Sequence, residues 1–301
     1  MPSRIASGLC ERSDRVHFEG TQSKGKYMKT IIALDTRPST AGRSARPSAQ
    51  DGDIIQTMSS LSASIRERYL QTLERITAAE HRAGRAPGST RLVVVTKSQP
   101  IEVVQAAIEA GIKILGENYP EEAVEKIKAL GTDGVEWHMI GHVQSRKADL
   151  IPAHFALMHS LDSLKLATRL DRFAAEAGRK LPVLLEFNVG KEESKFGWAA
   201  ADEAHWSALL PELDMVLKSS HLTVRGLMTM PPLFDDPEQT RPYFQKLCRL
   251  REFLARAFPA ADWSELSMGT SSDFEAAVEE GATLVRVGTA IVGPRPYPVQ
   301  K

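Results

Sequence analysis

A lysine that closes an apolar β run has the clearest chemical potential in this chain. The segment Leu92-Val-Val-Val-Thr ends on Lys97, and Pro100 then opens a stretch of helical period. If that run is a strand of a parallel barrel, Lys97 stands in the mouth. Apolar walls there depress an amine's pKa and free it for Schiff-base chemistry. Taken alone, the position favours a solvated lysine at a strand end. The final apolar run carries Arg286-Val-Gly288-Thr289, where backbone N–H groups could approach a phosphate closely. A second small-residue loop, Ser267-Met-Gly269-Thr-Ser-Ser-Asp273, precedes the stretch 274–280. Its hydroxyls and free N–H groups suit an anion, and Ser271, Ser272 or Asp273 could also serve as a helix N-cap. Loops after the seventh and eighth strands are where barrels commonly hold phosphate. Arg286 would add a cation there, or form an ion pair inside the barrel.

Other polar groups carry weaker signals. His138 and His142 share a face at i, i+4, but on a strand they lie too far apart to hold a metal without a third ligand. Glu192-Glu193, between Lys191 and Lys195, reads as a solvated loop rather than an acid/base pair. Asn118 could hydrogen-bond or pack on a planar cofactor, or cap a loop. Cys10 and Cys248 have no disulfide-framework or metal spacing, which fits a reducing compartment.

These groups need elements to hold them. Short apolar or β-branched runs occur at 92–96, 114–115, 137–140, 157–159, 183–189, 224–230, 266–268 and 284–291, separated by Ala/Glu/Lys/Leu-rich stretches of helical period. Eight strand–helix alternations predict a single (β/α)8 barrel of the TIM type; a doubly wound open sheet is the alternative. No Gly-x-Gly-x-x-Gly follows the first strand, which counts against a dinucleotide fold. Ile65, Tyr69, Leu73 and Ile76 predict an amphipathic helix before the first strand. Lys plus Arg equals Asp plus Glu at 38 each among 301 residues, so no global field points to nucleic acid or an anionic membrane. No apolar run approaches the roughly 18 residues of a membrane span.

Residues 1–57 are rich in Ser, Arg, Gly and Pro and poor in large apolar groups. Such a segment buries too little to offset its ordering entropy. It reads as a disordered extension or a misassigned start, with Met58 as the alternative first residue and 58–301 as the folded domain. A targeting signal is the other reading.

Several collinear segments together carry a resemblance. They are Val95-Thr-Lys97, Gly116-Glu-Asn118, Trp137-His-Met-Ile-Gly141, Gln144-Ser145 with Lys147, Asn188 with Glu193-Ser-Lys195, Gly226-Leu-Met228, Leu266-Ser-Met-Gly269 and Val285-Arg-Val-Gly-Thr-Ala-Ile291. In order, over about 58 to 295, they resemble the pyridoxal phosphate (PLP) homeostasis proteins, whose fold is like the N-terminal barrel of alanine racemase. The resemblance implies PLP held as an internal aldimine on Lys97, with Arg286 facing the pyridine nitrogen. Gly288, Thr289, Ser267 and Gly269 would hold the phosphate, and Asn118 and Met228 would flank the ring. Arg146 and Thr270 depart from the residues common in the family, and neither is a proposed cofactor contact.

The resemblance also implies a carrier or regulator of PLP supply rather than a catalyst, with PLP-dependent apoenzymes as candidate partners; a cytoplasmic setting is expected if Met58 is the true start. The chain ends about ten residues after its last strand, which leaves no room for the second domain that gives a racemase its opposing acid/base. A monomer is expected for the same reason. A PLP-dependent amino-acid racemase and a Schiff-base aldolase barrel are the competing readings.

Overall fold

The computed structural model describes residues 49–192 and 195–295. The expectations placed on 1–48 and on Glu193 lie outside the described residues. The strands are β1 (Arg91–Val95), β2 (Ile114–Glu117), β3 (Glu136–Met139), β4 (Leu157–Leu161), β5 (Leu181–Asn188), β6 (Trp198–Ala199), β7 (Leu222–Met228), β8 (Glu265–Ser267) and β9 (Leu284–Val287). The helices are α1 (Ala49–Arg82), α2 (Ile101–Glu109), α3 (Pro120–Leu130), α4 (Leu150–His154), α5 (Leu164–Glu176), α6 (Leu210–Leu217), α7 (Arg241–Ala257), α8 (Phe274–Glu279) and α9 (Thr289–Val292).

All pairings are parallel, in the order β4-β3-β2-β1-β9-β8-β7-β5, and β4 pairs with β5 to close the ring. The expected eight-stranded barrel is therefore the fold. The short β6 adds to the end of β5 through Phe187↔Trp198 and Asn188↔Ala199; the sequence pattern did not reveal it. Two register shifts accompany closure, at Met158/Leu161 against β5 and at Val183/Leu184 against β7. An unpaired residue at such a bulge bends its strand and increases its twist.

Side chains alternate across each strand, so every strand feeds two cores. Leu92 and Val94 of β1 face the helices, whereas Val93 joins Leu157, Leu184, Met228 and Leu284 inside the barrel. Two residues further along three of these strands stand His159, Glu186 and Arg286. The interior thus has an apolar floor with a buried polar layer above it, on the side of the strand C-termini.

Helix α1 buries Ile65, Ile76 and Ala79, and packs Tyr69 and Leu73 against the core. Its backbone begins nine residues before Met58. Buried Glu80 ties its end to the start of β1 by accepting from Gly88 N, Ser89 Oγ and Thr90 N at 2.9, 3.1 and 2.7 Å.

One strand expectation is corrected. The apolar run 284–291 is strand only to Val287, after which α9 begins. Ile291 N and Val292 N both donate to Gly288 O, at 2.8 and 3.1 Å. Thr289 and Ala290 are exposed while Ile291 and Val292 are buried, a spacing that alternation cannot produce. Arg68 Nε of α1 caps this turn by donating to Ile291 O at 2.6 Å.

Gly226 marks where β7 approaches β8 most closely. Its φ is +149°, and a Cβ there would lie 1.9 Å from Glu265 O. Gly226→Ala is therefore expected to destabilise the fold by about 3 kcal/mol, because β8 must move as a whole. Urea unfolding followed by circular dichroism measures it; a midpoint equal to wild type would refute the contact.

Candidate functional site

The strand ends open into a cavity of about 490 Å³ lined by residues from most of the barrel, including Val95, Lys97, Asn118, Ile140, Glu186 and Arg286. Of the residues singled out from sequence, Lys97, Asn118, Arg286, Gly288 and Thr289 line it together. Three others do not. Met228 lies in the apolar floor, 1% exposed, and it is Met230, two residues on, that reaches the mouth. Ser267 is fully buried and hydrogen-bonds Arg286 and His159 instead of lining the cavity. Gly269 stands behind the wall. Its carbonyl accepts from Arg286 N at 3.1 Å, and a Cβ there would meet Ala277 Cβ at 2.5 Å.

Lys97 is placed by what lies behind it. Thr96 Oγ1 donates to Glu117 Oε1 at 2.7 Å, and buried Lys126 Nζ reaches Thr96 O at 2.9 Å and Glu117 Oε1 at 2.8 Å. Ser98 takes a left-handed φ of 57°, and its N–H donates to Glu122 Oε1 at 2.8 Å. The turn that carries Lys97 is thus pinned from both sides. Burial lowers the Lys97 amine's pKa, and the Arg295 and Arg286 cations lower it further, against Glu117, which raises it. A depressed lysine pKa leaves more of the free amine that attacks a carbonyl.

Arg286 is buried, and its guanidinium is satisfied within the barrel. Nη1 donates to Ser267 Oγ, and Nη2 donates to Thr229 O at 3.0 Å and meets Met230 Sδ at 2.9 Å. Burial lowers its pKa to about 10, opposed by Asp273 and Glu186. It remains a cation at neutral pH.

On the wall beside it, Gly288 N donates to Ser271 Oγ at 3.3 Å, and Asp273 folds back to accept from Thr270 N and Oγ1 at 2.6 and 3.0 Å. This brings Thr270, Ser271, Gly288 and Thr289 to one side of the cavity. The Asp273 side chain orders that loop rather than capping α8. Asn118 Oδ1 is buried without a hydrogen-bond partner, so a donor on a bound molecule would satisfy it. Gly141 lets the next strand end come close, since a Cβ there would lie 2.5 Å from Asn118 O.

Sequence reading missed the far wall. His142 stacks on Phe196 with centroids 3.6 Å apart, and its Nδ1 bonds Asp162 Oδ2 at 2.7 Å. The i, i+4 spacing pairs it with His138, but His138 bonds His159 inside the barrel instead. Among the described residues no group of three His, Cys, Asp or Glu side chains could hold a metal ion. Glu186 was not singled out. Its place two residues beyond Leu184 in a strand that otherwise reads as continuously apolar was the available signal. Burial, and Asp162 next, raise its pKa to about 7.

That shift has a consequence for stability. The folded state favours the neutral Glu186 carboxyl, whereas the unfolded chain ionises from its ordinary value of 4.5. Stability contributed by this group is therefore full below about pH 4.5 and is lost as pH rises through about 7. Glu186→Gln should flatten the stability profile over that window, by up to about 3 kcal/mol in total. Thermal melts at closely spaced pH values test this; parallel profiles for variant and wild type would count against it.

The chain is similar in sequence and fold to known proteins. A family model described as alanine racemase, N-terminal domain, matches residues 73–296. The pyridoxal phosphate homeostasis protein of Aquifex aeolicus is 41% identical over 232 residues, covering 77% of this chain and 98% of that protein. Its namesake from Escherichia coli K12 is 36% identical over 236 residues, covering 77% and 97%. Among solved structures, PipY of Synechococcus elongatus with PLP bound is 37% identical with a TM-score of 0.64, over 76% of this chain and all of PipY (100%). Alanine racemase of Clostridium difficile, 16% identical with a TM-score of 0.57 over 78% of this chain and 58% of its own, shares the fold.

Proposed function

The chain belongs to the pyridoxal phosphate homeostasis protein family, built on the alanine racemase N-terminal fold, and from that premise we propose that it holds PLP in the barrel mouth. The observation that carries the proposal is the placement of Lys97. It is an amine of depressed pKa on a pinned turn, in one cavity with Arg286 and the Gly288–Thr289 turn. In this reading PLP is joined to Lys97 Nζ as a Schiff base. When bound, it supplies an aldehyde carbon for the amine and a ring able to accept electron density.

The chain's own residues divide the remaining work. Arg286 presents a fixed cation to the ring nitrogen, which keeps that nitrogen unprotonated and weakens the ring as an electron sink. Gly288, Thr289 and Ser271 offer N–H and hydroxyl donors to the phosphate, and Gly269 and Ser267 support them from behind. Asn118 Oδ1 has an unmet acceptor at the cavity. Ile140 and Val95 supply apolar wall.

The same proposal makes the protein a carrier or regulator of PLP without significant turnover. It acts as a monomer in the cytoplasm, with PLP-dependent apoenzymes as recipients. The PLP-bound PipY structure and the shared names of the relatives support the PLP-binding and homeostasis part of this reading. Among the described residues no helix is long and apolar enough to cross a membrane.

Purified protein reconstituted with PLP should absorb near ~420 nm, a band expected of a PLP Schiff base on lysine. Borohydride should abolish that band, and Lys97→Ala should lack it. A folded Lys97→Ala variant that keeps the band would move the attachment elsewhere.

Glu186 favours a second reading, weak amino-acid racemisation, because a cavity carboxyl near neutral pKa is the kind of group that moves a proton. Chiral analysis of D- and L-alanine after incubation with the holoprotein should show turnover below ~1 s⁻¹. Faster turnover that Glu186→Gln abolishes would make the protein a catalyst.

A further inference from the structure

A line of buried polar side chains runs from the cavity through the barrel to its opposite rim. Arg286 Nη1 bonds Ser267 Oγ, Ser267 Oγ bonds His159 Nδ1 at 2.8 Å, and His159 Nε2 bonds His138 Nδ1 at 3.0 Å. His138 Nε2 then meets Glu136 Oε2 at 3.3 Å. Arg286, Ser267, His159 and His138 are each at most 4% exposed. Glu136 begins β3, and its side chain is 58% exposed.

The two ends dictate every proton position between them. A carboxylate only accepts, so His138 Nε2 must carry the hydrogen, and a neutral His138 then accepts at Nδ1. His159 Nε2 must donate to it, which leaves His159 Nδ1 as an acceptor. Ser267 Oγ–H fills that role, and its lone pair takes the Arg286 proton, since a guanidinium only donates. No other arrangement satisfies all four bonds with neutral rings. Burial lowers the pKa of both histidines, His159 well below the ordinary value, so both stay neutral.

We propose that His138 and His159 are locked as Nε2–H tautomers, and that the resulting one-way chain makes His159 the positioning residue for Arg286, with Glu136 as its far anchor. Every bond points from the cation to the carboxylate, so each polarises the next in the same sense. The guanidinium is held by Ser267 on one nitrogen and by the Thr229 carbonyl on the other. Its orientation towards a bound ring is thereby set from the far rim of the barrel. This role for Arg286 towards a ring rests on the PLP reading; the tautomer assignment does not.

Charged neighbours leave the assignment intact. Arg91, ion-paired with Glu265 at 2.5 Å, disfavours a cation on either ring; Glu265 acts on His138 in the opposite sense. At the cavity end, Asp273 and Glu186 face Arg286 and help keep it charged.

The first test is the ligand-free protein with ¹⁵N-labelled histidine. Ring nitrogen shifts should report Nε2–H for both residues, unchanged between about pH 6.5 and 9. An Nδ1–H tautomer at either ring, or protonation in that range, overturns the chain.

The second test uses PLP-loaded His159→Leu and His159→Gln, with folding checked by circular dichroism. Leucine leaves the Ser267 hydroxyl hydrogen without an acceptor and His138 Nδ1 without a donor, so the PLP dissociation constant should rise about tenfold and the absorption band should shift. Glutamine can accept from Ser267 and donate to His138, and should restore most of both. Glu136→Leu, at the exposed end, should reproduce part of the spectral shift without a change in fold. A folded leucine variant with unaltered band and affinity overturns the positioning role. Failure of the wild-type protein to bind PLP would refute the cofactor reading instead and leave the tautomer result standing.

Discussion

Closure of the sheet through β4 and β5 is the constraint on which the rest of this structure depends. Without that pairing both strands would expose unmatched N–H and C=O groups, and the interior would open to water. With it, residues distant in sequence are forced into one enclosure. His159 of β4 and Glu186 of β5 come to share a layer with Arg286 of β9. The register shifts on both sides of β5 and the bare backbone at Gly226 are local accommodations to the curvature that closure demands.

Closure also sets the electrostatics. A cation, a carboxyl and an amine in one partly buried mouth perturb one another, because the reduced local dielectric strengthens charge interactions. The cations Arg286 and Arg295 help depress Lys97, and burial with Asp162 raises Glu186. The barrel tolerates a buried guanidinium only because its acceptors are present: Ser267, the Thr229 carbonyl and the Met230 sulfur. Behind Lys97, the Lys126–Glu117 pair lies almost wholly buried and ties the ends of β1 and β2 together. Losing either partner would strand a charge in the core, which makes the pair a constraint on local geometry more than a source of net stability.

The polar layer and the apolar floor follow from one rule applied several times. Leu157 precedes His159, Leu184 precedes Glu186 and Leu284 precedes Arg286, each by two positions. The alternation that buries the first member of each pair aims the second inward as well. A barrel of this kind places its chemistry at the strand ends because side chains there still face the axis while the backbone turns outward into loops.

Much of this was legible in the sequence. The spacing of eight apolar runs indicated the barrel, since a strand buried on both faces must be apolar throughout and its crossover helix must show a 3.6 period. Lys97, Arg286 and Gly288-Thr289 were legible because polar or small residues at the ends of such runs have few other reasons to be there. The sequence also suggested Met228 and Ser267 as lining residues, and the structure puts both below the cavity. A shift of one or two residues along a strand changes which layer a side chain joins, and a run of apolar letters does not reveal where the strand stops. Tertiary structure alone decided that β9 ends at Val287 and that Glu186 and His142 complete the far wall. It alone brought His138, His159, Ser267 and Arg286 into one line. These depend on which strands become neighbours when the sheet closes, and residues 148 positions apart from end to end of that line (138 to 286) carry no local pattern that announces their contact.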